Sequence, residues 1–312
     1  MKISNRIMNL ILTKKHEAWC NSIEDEAVKA LAQKNTIITG GAISSMLLKE
    51  EINDFDLYFA NFETCLAIAQ YYVAQFIKEH NNISIVPKVM ADVGVEGLKD
   101  RVHILIQSVG ISGDLHSDEE EIELIENPVA TLEKADSISA DSIGSLHGAN
   151  TEKGKYRPVF LTDNAITLSD KVQLIIRFYG DAQEIHKNFD FVHCMNYWKS
   201  DTRELVLKQE ALESLLSKKL FYTNSQYPIC ALIRIRKFLK RGFSIDAGQI
   251  LKICFQISKL DLENVEILAD QLVGVDTGYF SQLINYIREE KAKDANWILE
   301  LPYLVSIIDK IF

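Results

Sequence analysis

The chain predicts an α+β fold, with a mixed-sheet domain of short strands and helices followed by an all-α second half. Three observations carry that expectation. From residue 22 to 109, apolar runs of period two alternate with runs of helical period. Sheet-like patterning returns between 157 and 197 after an interruption, and from about Arg203 the spacing is helical to the end. The expected division is residues 1–200 for the sheet domain, with an insertion at about 111–155, and 201–312 for the helical part.

In chain order, Met1 to Lys15 is mildly basic and amphipathic, and too interrupted for a signal peptide. Ser22 to Lys34 reads as an amphipathic helix with Ser22 as N-cap and acids in its first turn. Asn35 to Thr39 is a short β-rich run, Ala42 to Glu50 is helical, and Asp54 to Ala60 is a strand. Phe62 to Glu79 is a long helix, and Ile83 to Val89 and Val102 to Val109 are strands. The 111–155 segment is acidic, then rich in Ser, Ala, Gly and Asp, which suits a loop-rich insertion. Arg157 to Leu161 and Ala165 to Leu168 are strands joined by the turn Thr162-Asp163-Asn164, and Val172 to Tyr179 is a third. A short helix follows Gly180, and Phe189 to Tyr197 reads as a strand. Helices are expected at about 203–219, 228–241, 246–258, 262–273, 276–291 and 294–311.

The bulk numbers narrow the function classes. The 312 residues carry a net charge of −10, which argues against a broadly basic nucleic-acid surface but not against a local basic groove. Basic residues gather from Arg234 to Arg241, and acids gather from Asp114 to Glu126. Five scattered cysteines without a CxxC pair suit reduced thiols in a cytoplasmic setting and no disulfide-linked partner. No segment approaches the roughly 18 apolar residues of a membrane span, so no membrane partner is expected.

The chemistry concentrates between residues 40 and 58. Gly40 and Gly41 let the backbone approach a polyphosphate without a Cβ in the way, and the helix that follows aims its N–H groups at that anion. In Asp54-Phe55-Asp56-Leu57-Tyr58-Phe59 the two aspartates share one face and the apolar Phe55, Leu57 and Phe59 the other. Two adjacent carboxylates repel each other, and a hard cation relieves the repulsion. Two such ions about 3.5–4 Å apart can align an attacking oxygen and a leaving pyrophosphate. A strand bearing Asp190 between Phe189 and Phe191 would bury a carboxylate that needs a partner, and beside the Asp54–Asp56 strand it would complete a triad. His186 and His193 lie nearby, and a histidine on an apolar strand is more often a core residue than a ligand, as are Tyr197 and Trp198.

Together these motifs resemble the DNA polymerase β-type nucleotidyltransferase superfamily, in particular the palm and neck of class II CCA-adding enzymes and bacterial poly(A) polymerases. Gly40 to Asp56 follows the family's Gly-Gly-x-Val-Arg-Asp-x-Leu-Leu-Gly and Asp-x-Asp outline, Asn188 to Cys194 is similar to its Arg-Arg-Asp-Phe-Thr-Ile-Asn, and Ile233 to Asp246 is similar to its basic neck helix. Ser44-Ser45 stand where the family has Arg-Asp, and Asn188-Phe189 where it has Arg-Arg. The chain also resembles nucleotidyltransferase-like proteins of bacteriophage genomes. The resemblance implies a nucleotidyltransferase using two Mg²⁺ ions, or Mn²⁺, held by Asp54, Asp56 and Asp190. Gly40, Gly41, Ser44, Ser45, Arg234, Arg236 and Lys237 would bind the NTP. The expected acceptor is an RNA or tRNA 3′ end, in a host cytoplasm if the protein is phage-encoded. A protein or small-molecule acceptor, or an inactive nucleotide-binding module, are the alternatives.

Overall fold

The computed structural model describes residues 5–80, 86–94, 100–106, 111–112, 155–262, 264–272 and 292–293. Its centre is an eight-stranded sheet. Two helices precede it, α1 (Asn5–Asn21) and α2 (Glu26–Asn35). Asp25, not Ser22, caps α2: its carboxylate accepts from the amides of Ala27 and Val28, while the Ser22 hydroxyl donates to the Trp19 carbonyl and closes α1. β1 (Thr36–Thr39), α3 (Gly41–Leu48), β2 (Phe55–Phe59) and α4 (Phe62–Glu79) follow where the alternation places them.

β3 (Lys88–Asp92) and β4 (Arg101–Leu105) pair with each other as a separate antiparallel hairpin, so the two strands expected here do not join the main sheet. Most of the 111–155 segment and the helices expected at 276–291 and 294–311 lie outside the described residues. The main sheet resumes with β5 (Ile111–Ser112), β6 (Pro158–Leu161), β7 (Ala165–Leu168) and β8 (Val172–Tyr179), then α5 (Ala182–His186), β9 (Tyr197–Lys199) and β10 (Glu204–Val206). The strand order is β10-β9-β1-β2-β8-β7-β6-β5, antiparallel except for the parallel β2–β8 pair, so the sheet is mixed.

Two expected elements differ. Residues 203–219 form β10 and then α6 (Gln209–Ser217), so the sheet continues past residue 200. Phe189 to Tyr197 is not a strand beside β2. Phe191 makes an isolated antiparallel bridge to Tyr222, Val192 N–H donates to the Phe221 carbonyl, and Val192–Cys194 is a 3₁₀ turn. The backbone bonds that a sheet would use are taken by the 221–223 segment. The described residues continue with β11 (Lys219–Leu220), α7 (Pro228–Lys240), β12 (Ser244–Ile245), α8 (Ala247–Ile257) and α9 (Val265–Leu272).

The sheet's two faces do different work. Ile38, Leu57, Leu174 and Ile166 form a cross-strand row facing the main core, where Met8, Leu12 and Trp19 of α1 and Ile68, Tyr72 and Phe76 of α4 pack. Burying each such side chain contributes about 1.5–3 kcal/mol. A second core joins Phe191, Leu215, Tyr222, Ile235, Phe243 and Ile253, with Leu47 and Leu48 of α3 against it, and so docks the helical half onto the end of α3. The sheet's opposite face is only partly covered, and the candidate site lies there.

Candidate active site

β1 delivers Thr39 and then turns sharply at Gly40, whose φ of 93° and ψ of −145° suit glycine alone. The Gly40 amide donates to the Cys194 carbonyl at 3.2 Å. A Cβ on Gly40 would lie 2.8 Å from Asp56 Oδ2, so the glycine turn and the second aspartate are in direct contact. Gly41 opens α3, and the space where its Cβ would stand is empty.

Asp56 stands on β2 in a polar cross-strand row: Thr39 of β1, Asp56, Gln173 of β8 and Thr167 of β7. Asp54, Asp56 and Tyr58 alternate to this face, and Leu57 and Phe59 point into the main core. Burial raises the Asp56 carboxyl well above the usual carboxylate range, and the Asp54 charge adds to the rise, while Lys237 and Arg234 oppose it. Burial likewise raises the Tyr58 phenol, with Asp56 and Asp190 adding to the rise and Arg234 opposing it.

α7 supplies the positive charge. Its helical spacing puts Arg234, Lys237 and Arg241 on the side facing the sheet domain. Arg241 donates to Glu50 just beyond α3 (3.1 Å from Nε) and to Ser45 Oγ at 3.4 Å, and Lys218 Nζ lies 3.8 Å from Glu50. Arg236 is exposed, roughly 200° around the helix from Arg234.

Asp190 is 6% exposed and its two oxygens are both engaged. Ser225 Oγ donates to Oδ1 at 2.7 Å, and Arg234 forms an ion pair with Oδ2. Among the described residues no group of three or more His, Cys, Asp or Glu side chains is placed to hold a metal ion. The structure therefore brings Asp54 and Asp56 together with Gly40, Arg234 and Lys237, and it does not gather Asp190 into a carboxylate triad. A buried carboxylate needs a partner, and here a guanidinium and a hydroxyl fill that role.

Ser44 is also turned inward. It is 1% exposed, and its hydroxyl donates to the His193 carbonyl at 2.9 Å. His186 is a buried connector: Lys208 donates to Nδ1 at 3.1 Å, Nε2 lies 2.8 Å from Thr39 Oγ1, and Thr39 donates on to the Asn196 carbonyl at 2.9 Å. Burial, with Lys208 nearby, lowers the His186 pKa to about 3. His193 packs against Phe238 and Phe243 with ring centroids 4.5 and 5.0 Å away, and burial lowers its pKa to about 3 as well. Neither ring nitrogen of His193 has a hydrogen-bond partner among the described residues. Sequence reasoning misses Tyr58, although its period-two spacing from Asp54 and Asp56 signals it, and Gln173, Ser225 and Glu50, for which no local signal exists.

Fold and site define an α+β protein with a carboxylate pair seated against a glycine turn, under a basic helix. The chain belongs to the Gabija anti-defense 2 family, whose model matches residues 10–218. A relative named "Gabija anti-defense 2" from Bacillus phage SPbetaL7 is 28% identical over 144 residues, covering 45% of this chain and 33% of the relative. The matched region thus spans about a third of that relative's length. Among solved structures, a Thermotoga maritima CCA-adding enzyme complexed with tRNA is 9% identical with a TM-score of 0.38, over 82% of this chain and 50% of that one. A Bacillus stearothermophilus CCA-adding enzyme in complex with CTP is 11% identical with a TM-score of 0.36, over 79% and 48%. At these scores the likeness assigns no activity. Among the described residues no helix is long and apolar enough to cross a membrane.

Proposed function

We propose that the chain is a divalent-cation-dependent nucleotidyltransferase, and that nucleotidyl transfer is the chemistry through which it acts in the anti-defence setting its family name describes. The single observation that carries this reading is the contact of Gly40 with Asp56, which sets a phosphate-accessible backbone turn against a carboxylate pair. The pair suits a divalent ion: Asp56 is raised by burial and by Asp54, and a cation between them would relieve both causes. Mg²⁺ characteristically takes one or two carboxylates and completes its shell with water and substrate phosphate, which fits a two-carboxylate site. Bound by Asp54 and Asp56, such an ion would neutralise the triphosphate and polarise the phosphorus under attack.

The chain's own residues would do the rest. Gly40 and Gly41 present backbone N–H groups at the start of α3 to the phosphates. Arg234 and Lys237, whose charges already act on Asp56, would meet the β- and γ-phosphates and stabilise the departing pyrophosphate. Ser45, through Arg241, would hold the α3 end of the cleft. An acceptor hydroxyl would attack the α-phosphorus in line with the leaving pyrophosphate. An RNA 3′ end is the proposed acceptor.

The test is incubation of the protein with each α-³²P-labelled NTP, Mg²⁺ and total cellular RNA and protein, beside an Asp54→Ala/Asp56→Ala control. Aspartate-dependent label in RNA supports the whole reading, and label in protein keeps the chemistry while changing the acceptor. Absence of label in every fraction, with cation-independent NTP binding, favours an inactive binding module. The engagement of Asp190 by Arg234 and Ser225 is the observation on that side.

A further inference from the structure

We propose that Asp190 and Ser225 are positioning residues, which hold the Arg234 guanidinium over the Asp54–Asp56 site so that it can receive the anionic leaving group. The proposal rests on the nucleotidyltransferase reading above and gives Asp190 a different task from metal binding.

A carboxylate offers two oxygens, and those of Asp190 are taken by Ser225 Oγ and Arg234 Nη1. Asp190 is nearly buried, so both bonds form where water competes poorly. Arg234 is only partly covered, its side chain 34% exposed against 5% for Asp190, so an incoming anion can reach it. Its charge reaches the right place, since it acts on both Asp56 and Tyr58.

The surroundings make the holder rigid. Thr223 N–H donates to the Asp190 carbonyl at 3.0 Å, and Tyr227 N–H donates to Ser225 Oγ at 3.2 Å, so the hydroxyl that fixes the carboxylate is itself fixed. Gln256 Nε2 donates to the Ser225 carbonyl at 2.7 Å and ties the same turn to α8. The turn at 223–227 leads directly into α7, the helix that carries Arg234. Sheet domain, turn and helix thus converge on one guanidinium. An arginine left to its many rotamers would lose ordering entropy when the triphosphate binds, and an arginine already held does not.

Metal binding and triphosphate binding separate the two roles. In the full-length protein, Mn²⁺ alone is titrated by electron paramagnetic resonance, and a non-hydrolysable NTP analogue is titrated by calorimetry in saturating Mg²⁺. Wild type, Asp190→Asn, Ser225→Ala, Arg234→Lys and Asp56→Asn are compared, each with a thermal melt. Positioning predicts that Ser225→Ala weakens the analogue about tenfold and Asp190→Asn more, both with Mn²⁺ affinity at the wild-type level, whereas Asp56→Asn loses Mn²⁺. Arg234→Lys should fall with the positioning variants, because the forked geometry is lost while the charge remains. Loss of Mn²⁺ binding in Asp190→Asn overturns the inference, as does an unchanged analogue affinity in a folded Ser225→Ala. A wild-type protein that binds neither Mn²⁺ nor the analogue overturns the nucleotidyltransferase reading itself.

Discussion

Replacing Gly40 by alanine should damage both the fold and the carboxylate pair, whereas the same change one residue on should leave stability and cation binding intact. At Gly40 the backbone lies at φ 93° and ψ −145°, a region that costs a non-glycine residue about 1–3 kcal/mol. The new Cβ would meet Asp56 Oδ2 at 2.8 Å, so the carboxylate must swing away or the turn must open. Together these effects predict a loss of about 2–3 kcal/mol, or a Tm lower by roughly 3–5 °C for a chain of this size. Moving the carboxylate should also weaken divalent-cation binding at least about tenfold, since one displaced ligand is worth about 1.4 kcal/mol or more. At Gly41 nothing lies within 4 Å of the position a Cβ would take and the residue begins a helix, so alanine should be neutral or stabilising by up to about 1 kcal/mol. Thermal melts and Mn²⁺ titrations on the two variants make the comparison. Equal behaviour of Gly40→Ala and Gly41→Ala in both assays would refute the contact between turn and carboxylate.

Asp56→Asn should stabilise the protein in EDTA, because it removes a partly buried charge that Asp54 repels, and the advantage should shrink or reverse in Mg²⁺; urea titration with and without the ion reads this. Stability should fall with acid. His186 and His193 have folded-state pKa values of about 3 against about 6.5 unfolded, so the unfolded chain binds more protons between those limits, and each residue contributes a loss on the order of 2 kcal/mol by pH 5. Asp56 acts in the opposite sense, its raised pKa favouring the fold as it protonates, so the pH series belongs in the Asp56→Asn background, where His193→Phe should flatten the slope. Thr39→Val should cost about 1–3 kcal/mol by chemical denaturation, since the hydroxyl joins His186 to the Asn196 carbonyl in a buried network.

How much of this is legible in the sequence depends on distance along the chain. Gly40, Asp54 and Asp56 lie within one strand–helix–strand unit, where glycine freedom and period two are local signals, and the structure brings Gly40 and Asp56 into contact. Asp190 reads as a buried carboxylate in need of a partner, but its partners stand 35 and 44 residues away and no periodicity points to them. The same run misleads on secondary structure. Phe189 to Tyr197 alternates like a strand, yet Phe191 serves the second core and its neighbours bond to the 221–223 segment. β10 is hidden in an expected helix because three residues between turns are too few to show a period. α4 and α7 are plain, the first from its long amphipathic run and the second from Pro228 at its start and Gly242 just past its end.

Nucleotidyl transfer is tested most directly by following what leaves the NTP. The protein is supplied with Mg²⁺, each NTP in turn and a cell extract cleared of endogenous nucleotides, and pyrophosphate and phosphate are measured separately beside an Asp54→Asn/Asp56→Asn control. Transfer predicts pyrophosphate, stoichiometric with label moved from the α-phosphate, and lost in the control. Phosphate in place of pyrophosphate, or equal release by the control, would contradict it.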